Sequence, residues 1–124
     1  MATLQEALLI AFDLQREGRF AEADSVYGQI LDALPGHPPA LHLRGLLLAQ
    51  CGRLEEGCAL VGQAIAGDGL QGGAQPDMHA NHASLLEALG RFGAAAEALA
   101  RAAALDPERV ALLNNFAVRR LAAA

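Results

Sequence analysis

The stretch PDMHANHASLL, Pro76 to Leu86, sets His79 and His82 three residues apart. At that spacing two imidazoles share one helix face and can hold a transition metal if further ligands join them. The nearest acids are Asp77 and Glu87, and Cys51 and Cys58 lie far back in the chain. With so few donors at hand the pair is expected to pack rather than to ligate, and no metal is expected. Cys51 and Cys58 are the only two cysteines and stand seven residues apart, which makes neither a disulfide framework nor a zinc knuckle. They read as ordinary reduced helix residues in a cytoplasmic protein.

Other chemistries fail for want of converging residues. GDGLQGG, from Gly67, is rich in glycine but lacks the Gly-Lys-Ser/Thr ending of a phosphate loop. Ser25 and Ser84 have no nucleophile elbow around them, and Glu55-Glu56 open a helix, where acids favour the dipole. No catalytic residue and no cofactor are therefore expected within these 124 residues.

Composition points to helices. The chain is 53% hydrophobic but only 4% aromatic, with no Trp, so its core must be built of Ala, Leu, Val and Ile packed closely. Its nine bases are all arginine and do not gather into a run, and fourteen acids leave a net charge of −5. A nucleic-acid surface needs a concentrated basic face, so that partner is not expected. The start, MATLQEALLI, lacks a basic n-region and carries Glu6 inside its apolar run, which is unlike a signal peptide. No stretch approaches the roughly 18 apolar residues that span a bilayer, so no membrane is expected either.

The elements that position these side chains emerge from internal repetition. EGRFAEADSVYGQILDALPG, CGRLEEGCALVGQAIAGDG and LGRFGAAAEALARAAALDPE share a Gly-Arg-apolar turn followed by a helix-period pattern. Gly18 to Gly52 is 34 residues and Gly52 to Gly90 is 38; the surplus of four falls in GDGLQGGAQP, a loop by composition. Each unit reads as two helices joined at the glycine, as in Leu4, Ala7, Ile10, Ala11 and Leu14, then Phe20, Ala23, Tyr27, Ile30 and Leu31. Asp106-Pro107 opens a seventh helix through Leu113 and Phe116 to Leu121.

These residues resemble the tetratricopeptide repeat family, bacterial type. In register are Ala7, Ile10, Ala11, Leu14, Ala23, Tyr27, Ile30 and Pro35 in the first unit; Leu41, Arg44, Gly45, Leu48, Gly57, Val61, Ala64 and Gly69 in the second; and His79, His82, Ala83, Leu86, Ala95, Leu99, Ala102 and Pro107 in the third. A fourth begins at Val110. The resemblance implies an all-α, right-handed solenoid of three helix pairs plus a seventh C-terminal helix, in one domain over residues 1–124: repeats at 4–37, 38–71 and 76–109, a loop insertion at 72–75, and a partial repeat at 110–124. Two departures stand out. Arg44 occupies a place where the family buries leucine, so it must snorkel, pair with an acid or line the groove. Gly57 and Gly69 are expected to loosen the second unit, with amide exchange fastest between Ala66 and Gln75.

The same resemblance implies a non-catalytic module that binds a protein or peptide in a concave groove lined by the first helices. Carried over position by position, the lining is Leu8, Phe12, Gln15, Arg16, His42, Leu46, Gln50, Asn81, Ser84, Glu87, Asn114 and Asn115. Asn81 and Asn115 are 34 residues apart at one register position, like rungs of the asparagine ladder in the repeat superhelix of O-linked N-acetylglucosamine transferases; Leu9 and Leu43 hold the two earlier places. The second function that follows is an N-terminal substrate-recognition arm of a larger enzyme such as a glycosyltransferase. Apolar residues of the seventh helix lack a capping helix, which leaves a homodimer through the open C-terminal end as an expectation.

Overall fold

The computed structural model describes residues 3–69 and 76–108. Among them are six helices in three antiparallel pairs: α1 (Leu4–Arg16) with α2 (Phe20–Ala33), α3 (Pro38–Gln50) with α4 (Leu54–Gly69), and α5 (Pro76–Ala88) with α6 (Phe92–Leu105). Chain-local chemistry sets the ends. Thr3 caps α1 by accepting the Glu6 N–H at 3.2 Å, and Pro38 starts α3 in the first turn, where its missing N–H costs nothing. Between the helices of each pair the backbone passes through a glycine at positive φ: 81° at Gly18, 87° at Gly52 and 79° at Gly90. In each turn the following arginine N–H reaches back five residues, Arg19 to Leu14 O, Arg53 to Leu48 O and Arg91 to Leu86 O, while the glycine N–H bonds three back. This is the Schellman arrangement, which satisfies the last carbonyls of the first helix and needs a residue without a Cβ at the left-handed position.

The two helices of every pair cross at small residues. Ala11 and Ala23 are wholly enclosed in the first pair, and Ala83 and Ala95 nearly so in the third. In the middle pair the corresponding residues are Gly45 and Gly57, both buried. A Cβ placed on Gly45 would stand 2.7 Å from the Gly57 carbonyl oxygen and 2.8 Å from Val61 Cγ2, so α3 and α4 approach more closely than any side chain at the crossing would permit. Gly57 does not loosen this unit as its helix propensity alone would have it: its missing Cβ is the condition for contact, and tertiary packing overrides propensity.

The core runs along the stack. Tyr27 and Leu47 join Ala11 and Ala23; Leu41, Ala64 and Met78 bridge the second and third pairs; Cys58, Val61, Leu85, Leu86 and Ala98 fill the interior beside them. Arg44 pairs with Asp24 of the preceding unit, Nε to Oδ1 at 2.8 Å, with its side chain 31% exposed. Of the three arrangements open to it, pairing with an acid is the one found. Arg91 likewise ties the third unit to the second through Glu55. The α6 helix ends at Asp106 in extended backbone (φ −154°, ψ 90°), and helical backbone resumes at Pro107. The rest of the expected seventh helix, the open C-terminal end and most of the loop after α4 lie outside the described residues. Among the described residues no helix is long and apolar enough to cross a membrane.

Candidate functional site

The side chains expected to line a groove come from α1, α3 and α5, the first helices of the three pairs. At the α1 end, Leu8 and Phe12 meet Leu43 of α3, with Gln5 and Leu9, around an open apolar cavity of about 460 Å³. Leu9 is 63% exposed and Phe12 38%, so this is apolar surface left on view rather than core. Arg16 stands at its rim, its guanidinium carbon 5.9 Å from the centre of the Phe12 ring and 3.9 Å from Asp13 across the charges.

Polar bridges link successive first helices further along. Gln15 Nε2 on α1 donates to Gln50 Oε1 on α3 at 2.7 Å, and the Tyr27 hydroxyl on α2 donates to Gln15 Oε1 at 2.8 Å. Tyr27 is fully enclosed, and burial pushes its phenol well above the ordinary value, which keeps the proton in place. One bridge on, Asn81 Nδ2 on α5 lies 3.0 Å from His42 Nε2 on α3. Burial holds the His42 imidazole below its usual value, with Asp77 pulling partly the other way. A neutral ring in the Nδ1–H tautomer accepts the Asn81 amide there.

The structure thus brings Leu8 with Phe12, Gln15 with Gln50, and His42 with Asn81. Gln15 is only 6% exposed and works beneath the surface. Leu46 is half-buried and packs against the Val61 and Leu86 cluster. Ser84 turns its hydroxyl to Ala80 O at 3.2 Å, a bond within its own helix. Glu87 is half-buried at the end of α5, and its carbonyl accepts the Gly90 N–H. Asn114 and Asn115 lie outside the described residues. Sequence reasoning left Gln5, Leu9 and Leu43 out of this face, and Tyr27 out of the support beneath it; the leucines carried a signal, since Leu9 and Leu43 share the register of Asn81.

The histidine pair is structural in its surroundings. His79 is buried, and His82 Nε2 comes within 3.6 Å of the space that a Cβ on Gly62 of α4 would fill. Both imidazoles are held below their usual value, first by burial and then by Arg101, with His79 adding to the effect on His82. Among the described residues no three of His, Cys, Asp and Glu converge as a metal site would require.

Residues 76–109, the whole third unit, match the family model of the tetratricopeptide repeat. That unit is similar to a tetratricopeptide repeat, and the other two share its Gly-Arg turns and small-residue crossings. Among solved structures the chain is similar to a mutant O-GlcNAc transferase from Thermobaculum terrenum, with 28% sequence identity and a TM-score of 0.75 over 86% of this chain. The likeness covers 21% of the transferase chain, so these 124 residues span about a fifth of that protein's length. No curated protein matches the chain. The tetratricopeptide solenoid is therefore the frame in which the cavity and the amide bridges are set.

Proposed function

We propose that the chain is a non-catalytic module that binds an extended segment of a partner protein along the face of its first helices. The observation that carries this is the convergence on one face of an open apolar cavity, at Leu8, Leu9, Phe12 and Leu43, with amide groups that retain unused hydrogen-bonding capacity at Gln50 and Asn81. An apolar slot fixes one side chain, and amides beside it take the backbone of an extended chain, which is how sequence-tolerant peptide recognition is built. Asn81 serves as a rung for that backbone through its oxygen, its Nδ2 being turned to His42, with Asn115 as the next rung. The acidic balance of the chain argues against nucleic acid as the partner. The test is recovery of partners from extracts of the source cell with the wild type and with Phe12→Glu, which puts a charge into the cavity at an exposed site. A set of proteins lost on that substitution supports the reading; identical recoveries remove it.

A second reading has an observation of its own. The likeness to a transferase along most of this chain supports a role as the substrate-recognition arm of a larger enzyme such as a glycosyltransferase. The two readings part on the full-length gene: a catalytic domain on the same polypeptide favours the arm, and its absence favours the free-standing binding module.

A further inference from the structure

The amide of Gln50 is held in one orientation from below. The Tyr27 hydroxyl is enclosed completely, so its proton must find an acceptor inside the protein, and Gln15 Oε1 at 2.8 Å is that acceptor. With its oxygen committed to Tyr27, the Gln15 amide turns its nitrogen the other way and donates to Gln50 Oε1 at 2.7 Å. Reversing both amides would leave the phenol proton buried without a partner, which the low dielectric of the site disfavours. Gln50 is the exposed end of this chain of bonds. Its oxygen accepts the Gln15 bond on one lone pair, and among the described residues no bond uses the hydrogens of its Nε2, which remain for a ligand.

Gln50 and Leu43 stand seven residues apart on α3, two helical turns, so they share one face and are separated by about 10 Å along the axis. An extended polypeptide advances roughly 3.3–3.6 Å per residue. A side chain seated in the cavity at Leu43 therefore places a backbone group about three residues away beside Gln50, and only a carbonyl can use a donor there.

We infer that Tyr27 and Gln15 are positioning residues that hold the Gln50 amide in the orientation that leaves its Nε2 as a donor, and that the groove takes an extended peptide with a large apolar side chain in the Leu8–Leu9–Phe12–Leu43 cavity and a backbone carbonyl about three residues away on Gln50 Nε2. The inference rests on the groove reading above and names the substrate class of that site: peptides with one bulky apolar anchor, read by backbone polarity rather than by charge. It also places specificity on a residue, Tyr27, that no ligand touches.

The experiment pans the chain against a phage-displayed library of random twelve-residue peptides at pH 7.5, then measures the affinity of an enriched synthetic peptide by calorimetry. Gln50→Glu, which replaces the donor by an acceptor at constant shape, is expected to weaken binding about tenfold or more. Tyr27→Phe is expected to weaken it several-fold in the wild type and not at all when added to Gln50→Ala, because freeing the amide matters only while the amide is present. An ester in place of the amide three residues from the anchor, which weakens the carbonyl as an acceptor, lowers affinity for the wild type and not for Gln50→Ala. If circular dichroism shows that Tyr27→Phe does not fold, Gln15→Met, which keeps the bulk, runs the same cycle. Peptides that lose binding with Phe12→Glu but are indifferent to Gln50→Glu overturn this inference and leave the groove reading standing. An equal effect of Tyr27→Phe in both backgrounds also overturns it, since Tyr27 would then act by packing alone. A library with no enriched peptide overturns both.

Discussion

Replacing Gly45 by alanine separates two opposing effects at the centre of the stack. In an isolated helix the change is favourable by about 1 kcal/mol, because glycine loses more backbone entropy and alanine is the best helix former. In this structure the new Cβ would stand 2.7 Å from the Gly57 carbonyl oxygen and 2.8 Å from Val61 Cγ2, where ordinary contact begins near 3.4 Å. Neither neighbour can swing aside, since one is the backbone of α4 and the other a side chain with no exposure at all. The helices must part by several tenths of an ångström, which opens the packing on either side of the crossing. Overpacking of this kind costs typically about 1–3 kcal/mol. With both neighbours fixed the cost falls in the upper part of that range, about 2–3 kcal/mol, so contact wins over propensity, and the net expectation is a loss of about 1–2 kcal/mol, or a fall in Tm of roughly 4–8 °C for a domain of this size. Gly28→Ala is the control, because its new Cβ meets only the end of the flexible Arg44 side chain at 3.9 Å within a helix of the same kind. That variant should gain up to about 1 kcal/mol. Urea and thermal unfolding followed at 222 nm measure both. A Gly45→Ala protein as stable as the wild type, or stabilised in parallel with Gly28→Ala, would refute the reasoning.

Gly52→Ala should cost about 1–2 kcal/mol with nothing in its way, since the site has open space but a φ of 87° that only glycine adopts freely; unfolding at fixed pH reads this directly. Stability should also fall with acid in a window set by histidines. His42, His79 and His82 have folded values below the ordinary one, chiefly through burial. The unfolded chain therefore takes up their protons first as the pH drops through about 6.5, and the native state loses stability from there down to the folded values. Urea midpoints at pH 7.5 and 5.5 should differ in that direction, and His82→Gln should narrow the difference; an unchanged gap would mean that His82 is not among the groups responsible. Asp24→Asn is expected to cost up to about 1 kcal/mol, as befits a half-exposed ion pair, while Asp24→Asn combined with Arg44→Leu recovers most of it, a double-mutant cycle being the measurement.

What the sequence disclosed was register, and what it withheld was the pairing of one helix face with the next. The positive-φ turns at Gly18, Gly52 and Gly90 were legible because a tight turn after a helix needs a residue without a Cβ, and the small residues at the crossings because each repeat must close on itself. Those are requirements local to some 30 residues. The bonds of the candidate site are not local: Gln15 and Gln50 are 35 residues apart and His42 and Asn81 39. Whether an amide at a groove position faces outward or reaches its neighbour on the next helix depends on the axial shift and roll between units, at a scale finer than one residue. Register set Gln15 toward α3, and its bonds to Gln50 and Tyr27 leave it buried. Leu46 lies half-buried against the core. Gly57 was misread for a related reason, since propensity counts the helix by itself and the crossing counts it against its partner.

The junctions between units show the same logic turned to chemistry. Arg44 and His82 occupy one register position in α3 and α5, and each lies against a glycine of the preceding second helix, Gly28 and Gly62 respectively. A glycine there opens space that a long or planar polar side chain can enter. What differs is the residue six positions after the turn glycine of that preceding helix: Asp24 at the first junction, Cys58 at the second. The acid pairs with the guanidinium that enters beside Gly28. Cys58 is buried, and burial pushes its thiol up so that it carries no charge, while the imidazole that enters beside Gly62 is itself held toward its neutral form. The first contact is ionic and the second neutral, the charge at the second junction being carried elsewhere, by the Arg91–Glu55 pair. Repeats that share a backbone are therefore not equivalent here: moving the second unit's first helix onto the second helix of that same unit would set the guanidinium beside Cys58 instead of Asp24, and would lose the up to about 1 kcal/mol that the half-exposed pair contributes. Ile10, at the equivalent site of α1, is apolar and half exposed, and among the described residues no helix precedes it.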